Sequence, residues 1–493
     1  MHDQIFMLTT IFGSIAVVLN FLFAFVVIFF ERRNPSGTWA WLLVLFFLPI
    51  IGFFVYLLIG QQGNKEKMFR EKGEFDAKFY NSFLLNDHEV NNEKLQQQKK
   101  IVEGGGRVIN EQHLTDLAYL HLNSGNFMTY NNDITMYSDG NDKFGNLLKD
   151  IENAKTFVHL QYYIWRNDDL GKKLVAAMAK KAAEGVEVRL NYDGMGNPHL
   201  PKDFFTAFHA AGGQTVAFLP PLVARVNYRN HRKLAIIDGE IGYIGGFNVG
   251  DEYLGRVKRY GNWRDLHFRV TGDAVDQMQI RFTMDWNFSI KEESKKIPLE
   301  TKYFPKREQF DGVKMQIVSS GPDTKYRNIR NGYDKMITEA ENHVYLVTPY
   351  FVPDDGIFEN LRVAALSGID VRIIIPGNPD HPFVYWSSLS YLGELLDAGV
   401  RCFQYTNGFI HAKVLSIDGT VSSVGTANMD IRSFDVNFEV NSFVYDTKIA
   451  KQVEDQFLKD LQDCEELTLQ WYENRSLLFR MKESISRLIS PML

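Results

Sequence analysis

Between residues 231 and 428 the chain carries one polar pattern twice, and this repetition constrains its fold more than any other feature. His231-Arg-Lys-Leu-Ala-Ile-Ile-Asp238 and His411-Ala-Lys-Val-Leu-Ser-Ile-Asp418 share the spacing His-x-Lys-x4-Asp. The histidines are 180 residues apart (411 minus 231). In each copy six residues separate the aspartate from Gly245-Gly-Phe-Asn248 or Gly425-Thr-Ala-Asn428. The flanking segments repeat in the same order. The β-rich runs 154–165 and 340–351 are followed by helical spacing over 170–183 and 357–366, then by the strands 185–190 and 368–373. Strands alternating with helices predict an α/β layered structure in two similar halves. Related by a pseudo-two-fold, such halves pack with equivalent edges together, which brings the two polar motifs to their interface.

His and Lys two apart on a strand project from one face, so each pair belongs to one site. Asp238-Gly239 and Asp418-Gly419 are hairpin signals that return the strand and carry Asn248 or Asn428 back beside its histidine. The two aspartates therefore have two readings, turn chemistry or a direct catalytic role. A single His-x-Lys-x4-Asp is a weak signal, whereas two copies with matched glycine and asparagine are a strong one. Eleven residues after Asn428 stands Glu439, and Asp265 holds the similar place in the first half. A carboxylate on the second imidazole nitrogen fixes the tautomer and stabilises the cation, and these two are the candidates for that duty. A metal site is disfavoured because each histidine carries a lysine that repels a divalent ion. The other histidines share no pattern.

Residues 5–30 hold no charged side chain, and after Glu31-Arg32-Arg33 a second uncharged stretch runs over 38–60. About 20 helical residues cross a bilayer core, so both stretches are expected to form transmembrane helices. Two basic residues lie between the stretches and four follow the second (Lys65, Lys67, Arg70, Lys72), which favours a cytoplasmic C-terminal region. Residues 61–112 turn polar and read as a connector with solvated helical charge. The expected organisation is an anchor over 1–60, the connector over 61–112, a first domain over 113–305 and a second over 306–493, ending in an amphipathic segment. In that segment Leu477, Leu478, Met481, Ile485, Leu488 and Ile489 alternate with basic residues. With 54 Lys and Arg against 60 Asp and Glu, the chain has no global basic excess to advertise nucleic acid. Cys402 and Cys464 have neither zinc spacing nor disulfide density.

The paired motifs resemble those of the phospholipase D superfamily over about 116–461. Within it, several segments look like bacterial cardiolipin synthases: Arg33-Asn-Pro-Ser-Gly-Thr-Trp-Ala-Trp41, Leu48-Pro-Ile-Ile-Gly52, Asn230-His-Arg-Lys233, Gly246-Phe-Asn-Val-Gly-Asp-Glu-Tyr253, Thr348-Pro-Tyr-Phe-Val-Pro353 and Ser490-Pro-Met-Leu493. Thr426 departs from the family pattern, where Ser or Gly often stands. The resemblance implies two α/β/α sandwich halves after the two transmembrane helices. It also implies transfer of a phosphatidyl group between two phosphatidylglycerol molecules in the cell membrane, with the catalytic halves on the cytoplasmic side. It assigns catalysis to His231, Lys233, Asp238, His411, Lys413 and Asp418, with His231 as nucleophile and His411 as acid and base. Asn248, Asn428, Asp265 and Glu439 complete the substrate site, and no metal or other cofactor is required. Anionic membrane lipids are the implied partners, and Arg225, Arg229, Arg256, Lys258, Arg259 and Arg264 are basic residues that could attract them. A hydrolytic phospholipase D and a membrane-tethered nuclease use the same motifs, so they remain as alternatives.

Overall fold

The computed structural model describes residues 18–30, 35–56, 63–85, 98, 114–219, 227–308 and 310–490. Seven strands build the first half: β1 (Thr129–Tyr137), β2 (Phe157–Tyr162), β3 (Glu187–Asp193), β4 (Gln214–Phe218), β5 (Leu234–Ile237), β6 (Ile241–Gly245) and β7 (His267–Thr271). The second half repeats them as β8 (Val313–Ser320), β9 (His343–Val347), β10 (Asp370–Pro376), β11 (Arg401–Tyr405), β12 (Val414–Ile417), β13 (Val421–Gly425) and β14 (Asn437–Val444), and adds β15 (Cys464–Leu467). The first half runs β4-β3-β2-β5-β6-β7-β1 and the second β8-β14-β13-β12-β9-β10-β11-β15. β1 and β8 pair antiparallel, Thr129 opposite Met315, so the two halves share one continuous sheet.

Parallel β2 and β3, and parallel β9 and β10, are connected through helices Asp169–Ala183 and Asp355–Leu366. Both helices open on an aspartate cap: Asp168 accepts from the Gly171 amide at 3.0 Å and Asp354 from the Ile357 amide at 3.0 Å. Helices cover both faces of the sheet, the α/β/α layering expected. On one face each half has its own core. On the other, Ala274–Ser289 and Thr447–Leu461 sink Met278, Phe282, Trp286, Val453 and Phe457 into a single core common to both halves. Helix Leu114–Asn123, which precedes β1, places Leu117 in the core of the second half, and His121 packs on Phe443 at 4.3 Å between ring centroids.

Two expectations are corrected. Among the described residues no helix is long and apolar enough to cross a membrane, which overturns the two transmembrane helices. The second uncharged stretch forms Pro35–Phe47 and Pro49–Val55, of 13 and 7 residues, each short of the roughly 20 a crossing needs. Pro49 is the cause, since it opens the second helix and lacks the amide donor that would continue the first. Of the first stretch, residues 5–17 lie outside the described residues and 18–29 are helical. Asn20 Nδ2 donates to Leu45 O at 3.2 Å, and Val27, Leu45 and Tyr56 bury one another.

The second correction concerns the connector. Helix Gly63–Leu85 is docked by its charges. Lys72 is 1% exposed, and its ammonium meets Asp76 and Asp323 at 2.6 Å each and Asp285 at 3.3 Å. Arg281 joins Asp76 at 2.8 Å and Asp285 at 2.7 Å, and Arg232 joins Asp285 at 2.6 Å. The buried cluster ties the helix to both halves and to the residue between His231 and Lys233.

Candidate active site

Each motif histidine is delivered to the site by the opposite half. Arg229–Asn230 pairs in parallel with Asn437–Phe438 at the start of β14, and the His231 amide then donates to Phe438 O at 2.9 Å. Correspondingly, Phe409–Ile410 pairs with Trp263–Arg264, and the His411 amide donates to Arg264 O at 2.7 Å. These short ladders set each imidazole against a carboxylate from the other half. His231 Nδ1 lies 2.9 Å from Glu439 Oε2, and His411 Nδ1 lies 2.8 Å from Asp265 Oδ2. Both carboxylates are fully buried. A carboxylate on Nδ1 selects the Nδ1–H tautomer and leaves Nε2 with its lone pair.

The two motifs act on each other electrostatically: the charge of Lys413 is felt at His231 and that of Lys233 at His411. Lys233 Nζ donates to His231 O at 2.6 Å, Lys413 Nζ donates to His411 O, and Lys413 Nζ stands 2.9 Å from His411 Nδ1. Burial lowers both imidazoles to about 4, with the lysine charges adding to the effect and the carboxylates opposing it. Burial also lowers Lys233 to about 7 and Lys413 to about 8. At Glu439 burial pushes upward, but His231 and Lys233 outweigh it and hold the carboxyl below its ordinary value. The site therefore combines two neutral imidazoles with two lysines of reduced basicity, an environment primed for an anion.

Asp238 and Asp418 are not at this site. They lie seven residues beyond their histidines, about 20 Å along an extended strand. Their backbones are left-handed (φ 54° and 55°). Asp238 accepts the amides of Lys155, Thr156 and Phe157 at 2.7–2.9 Å, and Asp418 those of Glu341, Asn342 and His343 at 2.8 Å each. Each carboxylate closes a turn and pins the start of β2 or β9, the first of the two readings its sequence allowed. Asn248 Oδ1 accepts from the Ile164 amide at 3.1 Å and its Nδ2 donates to Tyr253 Oη at 3.1 Å. Asn428 keeps a buried Oδ1 that lacks a hydrogen-bond partner.

Several neighbours had no motif to announce them. The Tyr163 ring stands edge-on to His231, centroids 4.9 Å apart, and Trp263 packs 5.2 Å from His411. Gly246 is required by close approach, since a Cβ there would meet Asp265 Oδ1 at 1.9 Å. At the equivalent place the Thr426 hydroxyl donates to Val440 O at 3.2 Å and accepts the Val440 amide at 2.9 Å, so the departure at this position ties the loop to the strand that carries Glu439. Asp193 accepts the Asn230 amide at 2.7 Å, which fixes the backbone entering the first motif; burial raises its carboxyl to about 6. Of the basic residues flanking the first motif, Arg225 lies outside the described residues. Arg264 is buried against Asp460 at 2.8 Å.

A family model described as "Cardiolipin synthase, PLD-like domain" matches residues 147–286 and 333–461, and one described as "Phospholipase_D-nuclease N-terminal" matches 18–61. A protein named cardiolipin synthase from Listeria innocua is 48% identical, covering 97% of this chain and 98% of its own length. Another of that name from Oceanobacillus iheyensis is 46% identical over 99% of this chain and 100% of its own. Among solved structures, phosphatidylserine synthase from Haemophilus influenzae aligns with a TM-score of 0.60 at 14% identity, covering 77% of this chain and all of that one. That last likeness speaks for the fold alone.

Proposed function

This chain belongs to the cardiolipin synthase family of phospholipase D-like proteins, and from that premise we infer how its two interlocked motifs carry out phosphatidyl transfer. It is a phosphatidyltransferase that joins two phosphatidylglycerol molecules, giving cardiolipin and glycerol. The observation that supports a shared site is the crossed pairing of His231 with Glu439 and of His411 with Asp265.

In the first step His231 Nε2 attacks the phosphorus of the donor lipid. The P–O bond to the headgroup glycerol breaks, and the departing oxygen takes a proton from His411 as imidazolium. The arriving phosphodiester anion neutralises part of the lysine charge, which lifts the depressed imidazoles and lets His411 carry that proton. Lys233, Lys413 and the amides of Asn248 and Asn428 hold the phosphoryl oxygens. In the second step neutral His411 takes the hydroxyl proton of the acceptor, its oxygen bonds to phosphorus, and the P–N bond to His231 breaks. Asp265 and Glu439 orient the rings and stabilise whichever is cationic. Asp238 and Asp418 act on this reading through the strands they anchor. We further propose that the enzyme works at the cytoplasmic surface of the cell membrane on anionic lipid. The outward Phe21, Phe29 and Phe46, 67–74% exposed, support lipid contact.

Rapid quenching followed by mass spectrometry tests the histidine roles. His411→Ala is expected to retain a phosphatidyl adduct on His231, most readily from a donor whose leaving group needs no protonation, and His231→Ala to retain none. Both should lose turnover by at least about 10²-fold to 10⁴-fold. An adduct on His411 would reverse the assignment, and cardiolipin made at normal rates by either variant would sink the mechanism. Separation of the lipid products from labelled phosphatidylglycerol distinguishes transfer from hydrolysis.

A further inference from the structure

Beside the histidines lies a group of charges that the transfer chemistry above leaves unused. The Tyr163 ring that abuts His231 also has Lys233 Nζ 5.6 Å from its centroid, and the charge of Arg229 acts on its phenol. Arg432 comes from the second half, and its charge also acts on Tyr163 and on Arg229's neighbour Asp193. Arg432 bonds to Asn227 and Arg229 to Tyr228 O, so two guanidinium groups from opposite halves meet on the segment that leads into His231.

Among the described residues their hydrogen bonds go to neutral oxygens. Arg432 Nη1 and Nη2 donate to Asn227 Oδ1 at 2.9 Å and Asn227 O at 2.7 Å, and Arg229 Nη1 donates to Tyr228 O at 2.9 Å. The two nearby acids spend their oxygens elsewhere. Asp193 accepts three backbone amides, from Met195, Gly196 and Asn230, and Asp430 caps a helical turn by accepting from the Ser433 amide at 2.6 Å. Burial, and then the charge of Arg229, lowers the pKa of Arg432. Among the described residues neither guanidinium forms an ion pair with a carboxylate, and like charges held together in this way make an anion site.

The pair breaks the pseudo-symmetry. Arg432 stands four residues after Asn428, while four residues after Asn248 stands Glu252, bound to Arg166 at 3.0 Å. A site with duplicated catalytic groups and an unduplicated pair of cations fits a reaction that brings two phosphates together and changes only one. Resting on the transfer reading above, we infer that Arg229 and Arg432 hold the phosphate of the acceptor lipid while its free hydroxyl attacks the phosphorus at the histidines. In the product six single bonds of about 1.5 Å join the two phosphorus atoms, a reach of roughly 7 Å after allowing for bond angles, which is on the scale of the tyrosine between the two sites.

The test is a competition between acceptors. The full chain in mixed micelles is given phosphatidylglycerol and labelled glycerol. Glycerol enters the same intermediate and returns labelled phosphatidylglycerol, whereas a second lipid gives cardiolipin. Both products come from one enzyme population, so their ratio does not depend on the fraction folded. Arg432→Gln and Arg229→Gln are each expected to lower the ratio of cardiolipin to labelled phosphatidylglycerol by about tenfold to a hundredfold, the value of a charge-assisted contact. Arg432→Lys should recover part of it. An unchanged ratio, even with both rates reduced, overturns the assignment, because the pair would then serve the donor or the fold. If the unaltered chain makes labelled phosphatidylglycerol or phosphatidic acid and no cardiolipin, the transfer reading itself falls and takes the subsite with it.

Discussion

At the scale of the residue, the site is governed by burial acting on groups of both charge types. The lysines carry the functional consequence, since burial brings Lys233 to about 7 and Lys413 to about 8 from an ordinary value near 10.4. They lose their protons as pH rises, and with them goes the positive charge that receives phosphate. The ratio kcat/KM, which reports the free enzyme, is therefore expected to fall as pH rises through about 7–8, as one coupled transition of the pair. The fall in kcat should come at higher pH, because bound phosphate stabilises the ammonium form. Lys413→Arg should move the kcat/KM limb upward, and a profile flat to pH 9 would refute the assignment. Sequence made the histidines and lysines legible through their repeated spacing, and the candidate carboxylates through their similar places downstream of Asn248 and Asn428. It left open which histidine each carboxylate serves, since that depends on strands pairing between halves. Tyr163 and Arg432 follow no spacing at all and emerge only when the halves meet.

At the scale of the element, helix Gly63–Leu85 illustrates how a polar run misleads. Its lysines and glutamates match a solvated face, and no local pattern distinguishes Lys72, whose acidic partners include Asp285 and Asp323, more than 200 residues away. Removing one member of a buried ionic cluster leaves the others uncompensated, so Lys72→Met is expected to destabilise the folded chain by about 3–5 kcal/mol. Denaturant titration measures this. A loss under about 0.5 kcal/mol would mean that the helix is not docked through its lysine. Pro49 is the opposite case, because the break was written in the sequence. Uncharged length and hydropathy alone cannot register a proline within the run, whereas the backbone does. The strand and helix order of the two halves was readable because apolar runs bounded by turn residues repeat in register with the motifs.

At the scale of the whole molecule, the C-terminal helix Leu477–Ile489 rests against helix Pro382–Asp397, with Arg487 on Glu394. Its outward side bears Leu477, Leu478, Met481, Ile485 and Leu488, 52–82% exposed, at helical spacing. A stripe of this size beside Arg480 and Lys482 suits an anionic lipid surface. The double variant Leu478→Glu, Leu488→Glu is expected to lose about tenfold or more of its activity on phosphatidylglycerol vesicles, as each leucine contributes about 1.5–3 kcal/mol on burial. It should retain activity on a short-chain phosphodiester dissolved below its micellar concentration. Equal activity on both substrates would dismiss the stripe as a lipid contact.

The crossing of the two halves also sets, on the proposed mechanism, the stage of synthesis at which the site can be complete. A chain emerging from the ribosome completes His231, Lys233 and Asn248 long before β14 exists. At that stage the first imidazole has neither its carboxylate nor its acid, both of which arrive from the last quarter of the sequence. N-terminal segments fold first during synthesis, so the crossed pairs form only when Asn437–Val444 joins the sheet. On the proposed mechanism a chain cut before Asn437 is expected to transfer no phosphatidyl group, which an assay of that truncation on phosphatidylglycerol checks.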